Sequence, residues 1–88
     1  MPTISIFYGI VVQMYWNDHP PAHFHAYYQG LEGLFAIETG ELIHGHMSPG
    51  PKRILKAWTL RHQDELRENW ERARLMLTPN PVQGADQE

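Results

Sequence analysis

Alternation of apolar and polar residues opens the chain. In "GIVVQMYW", Ile10, Val12, Met14 and Trp16 take every second place, and Val11, Gln13 and Tyr15 fill the places between. A period of two sends neighbouring side chains to opposite faces, so this run predicts a half-buried strand. "TISIFY", residues 3–8, predicts a shorter strand leading into it, with Gly9 as a turn or bulge. "NDHPPA", residues 17–22, breaks the pattern. Its two prolines lock their own backbones and push the preceding residue out of helical space, which predicts a semi-rigid loop. "HFHAYY" then resumes the alternation, with Phe24, Ala26 and Tyr28 on one face and His23, His25 and Tyr27 on the other.

Gln29–Gly30 suits a two-residue hairpin turn. Pairing Tyr28 with Leu31 then sets Ala26 opposite Gly33, Phe24 opposite Phe35 and Tyr27 opposite Glu32. The apolar faces agree, so the register is self-consistent. A second turn at Thr39–Gly40 leads to a short last strand, "ELIHGH". If that turn has two residues, Glu38 pairs with Glu41, and His44 falls opposite Phe35 on the helix-facing side. One bulge would reverse that placement.

The second half predicts one long helix. Pro51 suits its first position, with Ser48 or Gly50 near the cap. The apolar stripe runs through Ile54, Leu55, Trp58, Leu66, Trp70, Ala73 and Leu77 at gaps of three and four. His62 takes the one polar place in the stripe and reads as a hydrogen-bonded core residue. Trp58 and Trp70 read as core. Thr78–Pro79 ends the helix. The expected fold is α+β: a small antiparallel meander of about four strands with one long C-terminal helix packed on one face. Residues 1–77 form the expected domain, and 78–88 a disordered polar tail. The sheet face away from the helix carries Gln13, Tyr15, His23, His25, Tyr27 and Glu32.

Composition narrows the function classes. There is no cysteine among the 88 residues, which excludes disulfides, thiolate metal sites and thiol nucleophiles. The apolar start lacks a basic leading region and a cleavage site, so no signal peptide is expected. No apolar run approaches the roughly 18–20 residues needed to span a bilayer. A cytoplasmic location is the expectation. So short a chain buries only about 60–65% of its unfolded surface, which leaves room for a homo-oligomer. The net charge of −3 is unevenly spread, since all seven basic residues lie between positions 52 and 74. That local basic patch is either a solvated helix face or a contact for an acidic partner.

Three histidines within seven residues, His19, His23 and His25, raise the functional question. Histidine titrates near neutral pH, so His23 and His25 can serve as acid and base in cleaving RNA without a metal. Lys52, Arg53 and Lys56 would then hold phosphate, and Tyr15 and Tyr27 would stack on bases. The difficulty is geometric, because the helix covers the opposite face and its cations must reach round the sheet edge. A second reading makes the His/Tyr face a docking surface for a partner protein or a second copy. A third brings His23 and His25, with His19 from the loop, onto one zinc as a metal-dependent hydrolase. The spacing H-x3-H-x-H is not specific without flanking ligands, and the nearest acid, Asp18, has no direction readable from sequence. No metal or cofactor is therefore expected.

"MPTIS", "FYGIVVQMYWNDHPPAHFHAYY" and "WTLRHQDELRENWERA" resemble the family of short bacterial proteins known as domain of unknown function 4160. The resemblance covers roughly residues 1–76. Its most specific motif is Asp18, His19, Pro21, His23 and His25, and the second is Trp58, His62, Leu66, Asn69 and Trp70. It implies a small bacterial protein with no established activity. It also implies a small partner protein, since members are often encoded beside another short protein in an arrangement similar to toxin–antitoxin pairs. The leading expectation is thus one component of such a module, with RNA as substrate if it is the toxin. "HGHMSPGP" departs from the family pattern, which makes His44 and His46 poor candidates for a shared role.

Overall fold

The computed structural model describes residues 2–88. Five strands form one antiparallel meander in chain order: β1 (Thr3–Phe7), β2 (Ile10–Gln13), β3 (His23–Tyr28), β4 (Leu31–Ala36) and β5 (Leu42–Gly45). Two helices follow, α1 (Pro49–Arg61) and α2 (Gln63–Arg74), and a short 3-10 turn, η1 (Ala85–Gln87), lies near the end. The α+β class is as expected. The strand number and the single helix are not.

The shorter strand expected over residues 3–8 is β1, and Tyr8–Gly9 is the turn that sets it beside β2. Both residues adopt positive φ, 52° and 77°, which makes the two-residue turn whose twist matches that of paired strands. β1 therefore folds back on β2, with Phe7 opposite Ile10. Gln29–Gly30 makes the same kind of turn, with φ of 46° and 81°. The expected register across it holds, from Tyr28 opposite Leu31 through Phe24 opposite Phe35.

The last turn differs. The Ala36 N–H donates to the Glu41 carbonyl and the Gly40 N–H to the Ala36 carbonyl, so four residues, not two, form the loop. Phe35 pairs with Leu42 and Leu34 with His44, which leaves Ile43 as an extra residue. This bulge moves His44 from the expected helix side to the side of His25, which pairs with Leu34 from the other strand.

The helices cover the face carrying Ile10, Val12, Phe24, Ala26 and Phe35, all buried. Trp58 of α1 anchors it, 5.0 Å between ring centroids from Phe7 and edge-on to Phe24 at 5.7 Å. Phe24 stacks on Phe35 across the β3–β4 pair at 5.6 Å. Helix α1 starts at Pro49, two residues before the expected Pro51, with Ser48 at the cap position. The break between α1 and α2 is at His62, whose φ of −117° leaves helical space. No proline or glycine marks it. The imidazole is instead held between Glu65 and Glu88, with Nδ1 2.6 Å from Glu65 Oε1. Trp16 and Leu77, expected in the buried stripes, are exposed, because β2 stops at Gln13 and α2 at Arg74.

Residues 78–88 are not the disordered tail expected. They pack back across the helices onto β1. The Val82 N–H donates to the Ile4 carbonyl at 2.8 Å, and Trp58 Nε1–H donates to the Gln83 carbonyl at 2.9 Å. Asn69, 1% exposed, donates to the Asn80 carbonyl and accepts from the Asn80 N–H. Burial of Val82 and these satisfied backbone groups outweigh the polar, Pro-rich composition that suggested a loose end. No helix among the described residues is long and apolar enough to cross a membrane.

Candidate functional site

The site is built where β3 enters the sheet. The loop before it ends in the Pro20–Pro21 pair, joined by a cis peptide bond. This loop is tied to α2, since the Asn17 N–H donates to the Ala73 carbonyl at 3.1 Å and Trp16 Nε1–H to the Leu77 carbonyl. Trp70 of α2 lies 5.2 Å from the His23 ring. These contacts close over the start of β3. His23 is only 2% exposed and His25 8%. The sheet face carrying the histidines is thus covered at this end.

Every imidazole nitrogen of the pair meets an acceptor. His23 Nδ1–H donates to the Pro21 carbonyl at 2.8 Å. A carbonyl cannot donate, so Nδ1 carries a proton, and a ring without a second proton presents a lone pair at Nε2. That Nε2 lies 3.0 Å from Asp18 Oδ2. His25 repeats the arrangement, with Nδ1 3.1 Å from Glu32 Oε2 and Nε2 3.3 Å from the same Asp18 oxygen. The donor atoms of Asp18, His23 and His25 all lie within 4.8 Å of one another. Burial raises the Asp18 carboxyl pKa, but a hydrogen bond from His25, the bond from the His19 N–H and the positive charge of both imidazoles when protonated hold it below its ordinary value.

A second layer surrounds His25. Tyr27 O–H donates to the Glu32 Oε2 that His25 also meets, at 3.2 Å. Tyr15 and Tyr27 hydroxyls are bonded to each other. Tyr27 has one proton and spends it on Glu32, so Tyr15 donates to Tyr27. Burial pushes the Tyr27 phenol pKa well up, and Tyr15 and Glu32 add to the rise. The Tyr15 ring also lies against His25 at 4.1 Å.

The sequence-derived candidates are therefore only partly assembled. His23, His25, Tyr15 and Tyr27 come together. His19 does not join them, since it is exposed and its Nδ1 stays 3.7 Å from Asp18 Oδ1. Lys52, Arg53 and Lys56 lie elsewhere, along a groove shared with Gly40, Glu41 and Leu42, and Lys56 pairs with Glu41. Asp18 and Glu32 were not among the candidates. Asp18 was visible as the acid nearest the histidines, but its direction depends on the loop. Glu32 was readable from the register opposite Tyr27. A cavity of about 360 Å³ adjoins the cluster, lined by His19, Pro21, His23, Leu34, Ile43 and His44.

Fold and site together define a small α+β protein with a buried pair of histidines converging on one carboxylate. Residues 9–71 match the family described as Domain of unknown function (DUF4160), and the chain belongs to it. The matched span contains the whole cluster, from Tyr15 to Glu32. No curated protein and no solved structure shows significant similarity to the chain.

Proposed function

We propose that Asp18, His23 and His25 form a divalent-metal centre and that the chain is a small metal-dependent hydrolase. One observation carries this reading: both Nε2 atoms converge on one carboxylate oxygen while both Nδ1 atoms face acceptors of their own. Two neutral imidazoles supply two protons for four acceptor contacts. The shortfall amounts to two positive charges, which one dication among the three donors would supply in place of two added protons. The two Nε2–Asp18 distances, 3.0 and 3.3 Å, suit it. Metal–ligand bonds of about 2.1 Å meeting at tetrahedral or right angles set donor atoms about 3.0–3.4 Å apart. Metal-binding histidines also commonly donate the other ring N–H to a carbonyl or carboxylate, as these two face Pro21 and Glu32.

Two imidazoles and one carboxylate favour zinc or iron over magnesium or calcium, which prefer oxygen donors. Three protein ligands leave a position for water. A bound metal lowers the pKa of that water and supplies hydroxide near neutral pH. The adjoining cavity, with Leu34 and Ile43 in its wall and His19 and His44 beside them, is the place for substrate.

Metal-free RNA cleavage draws no support from the geometry. Both imidazoles are buried with all four nitrogens engaged, and the helix cations lie in a separate groove. A role beside a small partner protein in a toxin–antitoxin-like module rests on the family resemblance and adds no residue to the site.

The test is metal content. The purified chain is stripped with chelator, reloaded with zinc or iron(II), and dialysed. One equivalent retained by the wild type and lost in Asp18→Asn and His25→Ala supports the centre. No metal retained by a folded wild type overturns it. Hydrolysis of model esters and phosphodiesters by loaded protein tests the reaction class.

A further inference from the structure

The second layer around His25 is connected further than a structural hydrogen bond requires. Glu32 Oε2 receives Tyr27 O–H and faces His25 Nδ1, and Tyr15 completes the line through Tyr27. We infer that Glu32, backed by Tyr27 and Tyr15, is the positioning group of the metal centre. It sets which nitrogen of His25 faces the metal and how basic that nitrogen is. The inference rests on the metal reading proposed above.

The sheet puts these groups in place. Tyr27 and Glu32 are directly opposed across the β3–β4 pair, and His25 opposes Leu34, two residues further along. Glu32 is therefore the diagonal neighbour of His25 on one face, within reach of a long side chain. Tyr15 arrives from the segment after β2, where Gln13 opposes His25. Two β3 side chains thus meet on one Glu32 oxygen, and Tyr15 backs one of them.

The chemistry is directional. Glu32 accepts and cannot donate when ionised, so it selects the His25 tautomer with the proton on Nδ1 and the lone pair on Nε2. That is the tautomer a metal at Asp18 needs. The carboxylate charge also raises the electron density of the imidazole and strengthens it as a ligand. Tyr27, kept protonated, holds the carboxylate still. The Tyr15 ring, against His25, fixes the plane of the imidazole. His23 has only a backbone carbonyl in the same place. The two histidines are therefore unequal, with His25 the tuned ligand and His23 the fixed one.

The inference is tested by titrating cobalt(II) and zinc into wild type, Glu32→Gln, Glu32→Ala and Tyr27→Phe, with Glu38→Gln, whose carboxylate pairs with Arg67, as a control. Affinity is read by competition with a coloured chelator, and ligand field from the visible cobalt spectrum at saturation. Melting in chelator shows that each variant folds. The expected result is one equivalent in every protein, with affinity about 10–100-fold weaker in Glu32→Ala. Glu32→Gln keeps an acceptor without its charge and lies between. Tyr27→Phe shifts the cobalt bands and weakens binding less than Glu32→Ala, while Glu38→Gln matches wild type. Wild-type affinity and spectrum in Glu32→Ala, with one equivalent bound, overturn the inference and leave the centre intact. Absence of metal from folded wild type overturns both.

Discussion

His23 Nε2 stands 3.0 Å from Asp18 Oδ2, while the other nitrogen of the same ring donates to Pro21. The two residues are five apart in the chain and are joined by the turn through Pro20 and Pro21. That turn is what aims the carboxylate at the ring.

The first prediction concerns stability in metal. A ligand that binds only the folded state at about 100 times its dissociation constant adds about 2.7 kcal/mol. Zinc at that level should raise the unfolding free energy of wild type in urea by this amount, and chelator should remove the gain. Asp18→Asn should show no gain. An equal gain in both proteins would place the metal elsewhere.

A second prediction separates the basic groove from the site. Lys52, Arg53 and Lys56 line a groove with Gly40 and Glu41, away from the histidines. The double change Lys52→Ala/Arg53→Ala should leave metal affinity within about twofold, because exposed charges at a distance are screened. The competition assay used for Glu32 measures it.

The C-terminal segment should contribute to stability through Asn69. Its amide satisfies both the N–H and the carbonyl of Asn80. Asn69→Ala leaves two backbone groups without that partner and should cost about 1–3 kcal/mol in urea unfolding. A cost near zero would mean that water replaces the amide and that the segment is loosely held.

The clasp at the helix joint should depend on pH. Burial alone lowers the His62 pKa, but its bonds to Glu65 and Glu88, and their charges, hold it above the ordinary 6.5. Arg61 joins His62 on Glu88. A raised histidine pKa stabilises the fold fully below the unfolded value, and the effect fades as pH rises through the folded value. Glu88 runs the other way. Its bond to His62 lowers its pKa from 4.5, so its contribution is present above that value and lost as pH falls through the folded one. The clasp is strongest between the two. Wild type should therefore lose more stability than His62→Gln between about pH 5.5 and about pH 8.5. Parallel losses in the two proteins would show that His62 carries no such coupling.

Gly45 gives a last prediction. Its φ is +82°, and an added Cβ would lie 2.3 Å from the Glu32 carbonyl oxygen. That carbonyl accepts from the His46 N–H, which holds β5 to β4. Gly45→Ala should cost more than about 1 kcal/mol and speed amide exchange in β5 ahead of β3. Unchanged exchange would mean that the strand shifts without loss.

Sequence alone determined the alternation of β2 and β3, the Gln29–Gly30 turn and the register of the hairpin it closes. It also determined the helical stripe from Leu55 to Ala73. These are local rules, set by side-chain period and by the few residues that accept positive φ. It marked His23, His25, Tyr15 and Tyr27 as one face for the same reason. Tertiary structure decided the rest. At the helix break, His62 meets Glu88, 26 residues away. The tail's order depends on backbone groups of β1 and on Asn69. The bulge at Ile43 reversed His44, whereas the change from a two-residue to a four-residue loop leaves it on the same face, and nothing in the composition records a bulge. Above all, the direction of Asp18 was illegible. A loop carboxylate has no period to read, and only the packing of α2 against the turn brings it between two imidazoles.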